Sequence, residues 1–115
     1  MRVTREFRFE AAHRLPGYKG KCERLHGHSY ALHVTVEAPV GPDGLAFDFS
    51  LLGSIVEERV VAAVDHTDLN DLLPQPSAEN IAAWVWERLS DLPLAEVKVF
   101  ETPTSWVTYS GPGGR

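Results

Sequence analysis

The chain has 115 residues, of which 43% are hydrophobic and 23% charged, and its formal net charge is −5. This length fits one domain with one core, and the apolar fraction argues against intrinsic disorder. The purely apolar runs, such as Val60 to Val64 and Ile81 to Trp86, are far shorter than the roughly 20 residues of a membrane-spanning helix. A single cysteine excludes an intrachain disulfide, and the charged N-terminus does not look like a signal peptide. We therefore predict one cytoplasmic domain over residues 1–115, with a disordered tail from about residue 111.

The charge is distributed unevenly. The negative total argues against nucleic-acid binding, because a polyanion requires a basic face on the protein. Within this acidic chain, residues 14–24 carry a local balance of +3, from Arg14, Lys19, Lys21 and Arg24 against Glu23. A basic island on an acidic protein suits a small anionic ligand. A solvated loop would show the same pattern, so charge alone leaves both interpretations open.

Two strands are predicted in the first third of the chain. Apolar and polar residues alternate from Val3 to His13 and again from His28 to Ala38, which is typical of half-buried strands. Between them, Pro16, Gly17 and Gly20 indicate a loop.

Two helices follow these strands. Ser50 is the predicted N-cap of the first helix, whose apolar face extends from Leu52 to Ala63 at helical spacing. Ser77 is the predicted N-cap of the second, which carries an apolar stripe from Ile81 to Leu89 and ends by Pro93.

Residues 95–101 and 105–110 are predicted to form the last two strands. The order strand, strand, helix, helix, strand, strand predicts an α+β domain, with a four-stranded antiparallel sheet covered by two helices on one face. Bare sheet edges invite pairing with another copy of the chain. We therefore expect a homo-oligomer that joins its sheets.

The histidines suggest a metal site. His26 and His28 flank Gly27, so an extended backbone places both imidazoles on one side, and His13 at the end of the preceding strand could add a third nitrogen. Three neutral imidazoles with one open position are typical of a catalytic zinc site. His33 lies on the other side of its strand, and we predict no function for it. The H-x-H pattern alone is weak, so ordinary strand residues are the alternative.

Cys22 lies four residues before His26, inside the basic segment. As a fourth ligand it would close the metal site and make it structural. Unligated beside a cation, its thiol would have a lowered pKa and could act as a thiolate base. A small buried residue is the third interpretation.

Two carboxylates accompany these residues. Asp65 precedes His66 and could fix the tautomer of its imidazole, which would give a tuned proton donor. Glu101 ends the third long strand and could accept two hydrogen bonds from a guanine-like edge. Taken alone, both patterns are also common on solvated surfaces.

Together these segments resemble the 6-pyruvoyl-tetrahydropterin synthase family over nearly the whole chain, and most closely its bacterial 6-carboxy-tetrahydropterin synthases of the queuosine pathway. The matching segments, in order, are Phe9–Pro16, Cys22–Tyr30, Asp48–Phe49, Asp65–Asn70, Ser77–Asn80 and Glu101–Thr102. The resemblance implies the tunnelling (T-) fold, in which protomers join into a barrel, commonly a hexamer made of two trimers. One departure is Ser77, where many family members have threonine.

The resemblance also implies a role for each candidate residue. Zinc would be bound by His13, His26 and His28, Cys22 would be the catalytic base, Asp65 and His66 the proton relay, and Glu101 the anchor of the pterin ring. The implied substrate is 7,8-dihydroneopterin triphosphate. The implied reaction yields 6-carboxytetrahydropterin, acetaldehyde and triphosphate. The alternatives are the pyruvoyl product formed by triphosphate elimination, a non-enzymatic zinc module with Cys22 as fourth ligand, and a metallohydrolase.

Overall fold

The computed structural model describes residues 1–18, 20 and 23–113. Its strands are β1 (Arg2–His13), β2 (His26–Glu37), β3 (Thr67–Asp68), β4 (Leu94–Thr102) and β5 (Ser105–Tyr109). They form one sheet in the order β3-β1-β2-β4-β5. The four long strands pair antiparallel, whereas the short β3 pairs parallel to the end of β1. The α+β class is confirmed, and β3 is an addition to the predicted sheet.

The helical part lies in two stretches of the chain. The first consists of α1 (Phe49–Val56), a π-helical segment (Glu57–Val61) and α2 (Ala62–Val64), which follow one another without a break. The second is α3 (Ala78–Arg88). Within the described ranges, no helix is long and apolar enough to cross a membrane.

The helix caps show where local prediction succeeds and fails. Ser77 caps α3 as predicted, since its hydroxyl accepts a hydrogen bond from the Asn80 N–H at 3.2 Å. The prediction that Ser50 caps the first helix is wrong. Asp48 is the cap, and its carboxylate accepts from the Ser50 N–H at 2.8 Å. Both residues are good caps, and the helix begins two residues earlier than the apolar pattern indicates.

One face of the sheet packs on the helices. Alternate residues of β1, β2 and β4 turn toward this face and are fully or almost fully buried, namely Phe7, Phe9, Tyr30, Leu32, Val34, Val97 and Val99. The helices contribute Leu52, Val56, Val60, Ile81, Val85 and Leu89. His13, at the end of β1, belongs to the same buried face and is 0% exposed. The core therefore extends as far as the candidate metal ligands.

One residue near the end of the described chain is also packed. Gly111 is buried and lies against the indole of Trp86, with a positive φ of 103°. Gly114 and Arg115 lie outside the described residues.

Candidate active site

Antiparallel pairing of β1 with β2 brings three histidines together. The register places His13 opposite His26, and His28 lies two residues further along β2 on the same face. The ring centroids are 4.6 to 5.0 Å apart. Each ring offers one ligand atom, and these atoms lie within 4.8 Å of one another. The structure therefore groups the three histidines that the sequence singled out.

Two of these rings have a fixed tautomer. The Nδ1 of His13 lies 2.7 Å from the Pro76 carbonyl oxygen, and the Nδ1 of His26 lies 2.6 Å from the Arg24 carbonyl oxygen. A carbonyl only accepts, so each Nδ1–H donates, and in the neutral ring each Nε2 then carries the lone pair. These two Nε2 atoms are 3.0 Å apart. Two neutral rings at this distance need a shared proton or a metal ion between their lone pairs, so the pair can bind a metal ion.

His28 completes the donor set. Its Nε2 is buried and has no hydrogen-bond partner in the described part of the chain. Burial lowers the pKa of His28; the Glu101 carboxylate opposes this shift, and the neighbouring imidazoles of His13 and His26 act in the same direction as burial. The ring is therefore held in the neutral form that binds a metal. Three neutral imidazole nitrogens suit zinc.

Glu101 lies beside this histidine cluster. Its Oε1 is 3.6 Å from the His28 Nε2, and its Oε2 is 4.0 Å from the His13 Nε2. The side chain is 28% exposed. The predicted substrate anchor thus lies next to the candidate metal ligands, at the end of β4 and in partial contact with solvent.

Tyr30 lies under the cluster and was not predicted as a site residue. Its ring stacks on Phe9 at 4.8 Å and meets His13 and His28 edge-on. The hydroxyl is buried without a hydrogen-bond partner among the described residues. Burial first, and then the charge of Glu101, raise the pKa of Tyr30 above its usual range, so the phenol is protonated. Its position two residues after His28, on the same face, was the available sequence signal.

Asp65 and His66 are tied to the edge of β1. The His66 N–H donates to the Glu10 carbonyl at 2.6 Å, and the Glu10 N–H donates to Asp65 Oδ1 at 2.9 Å. The other carboxylate oxygen, Oδ2, lies 3.5 Å from the His66 Nε2. His66 has a φ of +59°. This left-handed backbone conformation is uncommon for residues other than glycine, and residues that adopt it cluster at active sites. The structure therefore pairs the two residues as their sequence adjacency suggested.

The imidazole of His66 is solvent-accessible, with 78% of its side chain exposed. His66 and His28 nevertheless line the same open cleft, whose volume is about 480 Å³. A bound molecule in this cleft could therefore contact both.

The side chain of Asn70 stabilises the backbone next to the histidine cluster. Its Nδ2 donates to the Arg14 carbonyl at 3.0 Å, and its Oδ1 accepts from the Arg14 N–H at 2.8 Å. Because Arg14 directly follows His13, this clamp fixes the backbone that carries a candidate ligand. No individual role was predicted for Asn70. The Pro76 carbonyl was not predicted either, since a main-chain acceptor has no side-chain signal.

The basic segment is only partly described. Arg14 and Arg24 are exposed, and each is next or nearly next to a candidate ligand in the chain. The predicted base Cys22, together with Lys19 and Lys21, lies outside the described residues.

Known proteins share these features. The family model for 6-pyruvoyl tetrahydropterin synthase matches residues 2–112. A 6-carboxy-5,6,7,8-tetrahydropterin synthase from Synechocystis sp. is 42% identical, over 96% of this chain and 93% of its own. A 6-pyruvoyl tetrahydrobiopterin synthase from Dictyostelium discoideum is 32% identical, over 95% of each chain. The solved structure of 6-pyruvoyl tetrahydropterin synthase from Caenorhabditis elegans superposes with a TM-score of 0.88 at 28% identity, over 97% of this chain and 96% of that one. This chain therefore belongs to the 6-pyruvoyl tetrahydropterin synthase family and is a lyase of the pterin synthase type.

Proposed function

We propose that the protein is a zinc-dependent 6-carboxy-tetrahydropterin synthase of the queuosine pathway. It would convert 7,8-dihydroneopterin triphosphate to 6-carboxytetrahydropterin, acetaldehyde and triphosphate. The observation that carries this proposal is the convergence of three histidine rings beside one carboxylate, on a family fold. The 42% identity to a relative with this name favours the carboxy product.

The metal would be held by His13, His26 and His28. Their donor set supports zinc, because all three can offer a neutral Nε2 and two have the opposite nitrogen bound to a carbonyl. When bound, zinc supplies a Lewis acid for the side-chain oxygens of the substrate.

Three residues would move protons. The thiolate of Cys22 would take a proton from the substrate side chain, a role that rests on the family resemblance. His66 would return a proton at another carbon, and the Asp65 carboxylate, 3.5 Å from its Nε2, would orient its ring. The main-chain bonds to Glu10 hold this pair at the cleft that His28 also lines.

The two ends of the substrate call for opposite charges. The Glu101 carboxylate can accept hydrogen bonds from the amino and amide nitrogens of the pterin ring. The triphosphate needs cations, and Arg14 and Arg24 are exposed close to the histidine cluster in the chain. Lys19 and Lys21 would add to this charge by their place in the sequence.

We also propose that copies of the chain assemble into a barrel, as a homohexamer of two trimers. Two features of the described residues support pairing between sheets. β5 is the last strand at one edge, and β3 covers only Ala11 and Ala12 on the other edge of β1. Light scattering after size exclusion would measure the assembly, and a monomer at micromolar concentration would contradict it.

The decisive test combines metal analysis with turnover of 7,8-dihydroneopterin triphosphate. We expect the wild type to hold zinc and to release acetaldehyde, Cys22→Ala to hold zinc without turnover, and His28→Ala to lose zinc. His33→Ala is the matched control, because this histidine is on the opposite face of β2 and pairs with Glu6. It should keep both properties.

The other outcomes identify the alternatives. Triphosphate release without acetaldehyde would indicate the pyruvoyl product, as the name of the Dictyostelium relative states for that protein. Loss of zinc in Cys22→Ala, with no turnover by the wild type, would indicate a structural zinc module.

A further inference from the structure

Glu101 has unusual neighbours for a carboxylate. Its two oxygens face the Nε2 atoms of different imidazoles, His28 at 3.6 Å and His13 at 4.0 Å. In the described ranges, no lysine or arginine forms a salt bridge with it. The Nδ1 of His13 donates to the Pro76 carbonyl, so in the neutral ring its Nε2 presents a lone pair toward Glu101. A carboxylate and a ring nitrogen in this arrangement can bind the same cation.

We propose that Glu101 is the fourth ligand of the metal in the substrate-free protein, and that the pterin ring displaces it on binding. This inference rests on the metal centre proposed above. Neighbouring ligands of a tetrahedral zinc ion lie about 3.4 Å apart, given metal–ligand distances of about 2.1 Å. The distances of Glu101 to His28 and His13 are 3.6 and 4.0 Å. These distances are close to the ligand spacing, and rotation of the glutamate side chain would bring one of its oxygens to the metal.

The Glu101 carboxylate would bind two partners in succession, first the metal and then the pterin ring. Without substrate, Glu101 closes the metal and keeps water from the fourth position. When the pterin nitrogens donate to its oxygens, the carboxylate turns away and the position opens for the substrate side chain. The exchange breaks one metal–oxygen bond and forms another, with no change in oxidation state. Recognition of the ring is thereby coupled to activation of the metal.

Metal affinity gives the first test. Competition of the purified protein with a zinc chelator should show at least about a 10-fold weaker affinity for Glu101→Gln than for the wild type, since a neutral amide is a poor zinc ligand. Glu96→Gln is the matched control. It lies on the same strand β4, and its partner is Lys98 rather than a histidine. Its zinc affinity should equal that of the wild type.

The spectrum of the cobalt-substituted protein gives the second test. Unsubstituted pterin serves as the probe, because it has the ring that Glu101 would bind but no side chain to reach the metal. Pterin should shift the visible cobalt bands of the wild type toward those of Glu101→Gln and leave the variant unchanged.

Three results would overturn the inference. Equal zinc affinities of Glu101→Gln and Glu96→Gln would exclude Glu101 as a ligand, and so would wild-type bands that do not respond to saturating pterin. Cobalt bands that change in Cys22→Ala instead would assign the fourth position to the thiolate. In each of these cases the three-histidine centre stands. Absence of metal from the wild type would overturn the centre itself.

Discussion

Tyr30→Phe isolates the energetic cost of a buried polar group at the site. The side chain is 1% exposed, and its hydroxyl has no hydrogen-bond partner among the described residues. A buried hydroxyl without a partner costs about 1 to 3 kcal/mol relative to one in water. The stacking of the ring on Phe9, at 4.8 Å and 8° between planes, survives the substitution. We therefore expect the free energy of unfolding to rise by about 1 kcal/mol, the lower end of that range, because the denatured chain is itself partly compact.

Urea denaturation of the metal-free protein, at one fixed protein concentration, measures this difference without contributions from metal binding or assembly. Tyr18→Phe is the control, because Tyr18 is 58% exposed and its substitution should change stability by less than about 0.5 kcal/mol. A loss of about 1 kcal/mol or more in Tyr30→Phe would show that the hydroxyl is hydrogen-bonded in solution. The reasoning that this hydroxyl is buried without a hydrogen-bond partner would then be refuted.

Two further predictions concern groups outside the cluster. Gly111→Ala should lower the free energy of unfolding by about 1 to 3 kcal/mol more than Gly113→Ala. Both glycines have positive φ, but only at Gly111 would a Cβ lie 2.7 Å from the Trp86 ring. Equal losses in urea denaturation would contradict this clash. A hydrogen bond from His33 is the main cause that lowers the pKa of Glu6 from its usual value of 4.5. The ionised Glu6 therefore stabilises the folded protein at pH values above its unfolded-state pKa, and this stabilisation is lost as the pH falls through its pKa in the folded protein. His33→Ala should raise the Glu6 midpoint in a carbon-detected NMR titration, and an unchanged midpoint would show that His33 does not hold this carboxylate.

Much of the histidine cluster could be predicted because its pattern is local. In an extended strand, residues two apart share a face, so His26 and His28 had to project together. The same alternation identified the buried side chains of β1, β2 and β4. Local signals were weaker at helix boundaries, where Asp48 and Ser50 both qualified as caps and only the path of the chain selected Asp48. The short β3 was missed because two residues carry no usable periodicity.

The chemistry of the site depends on pairings between distant parts of the chain. The register of β1 against β2 sets His13 opposite His26, and a carbonyl 63 residues away fixes the proton on His13. The approach of β4 to β2 brings Glu101 next to the cluster. By itself, the sequence determined the four long strands, the two helical stretches, the family, and the three histidines as candidate ligands. Only the tertiary structure decided which nitrogens face one another and that Glu101 lies beside them, because register and main-chain hydrogen bonds arise from contacts that no short segment encodes.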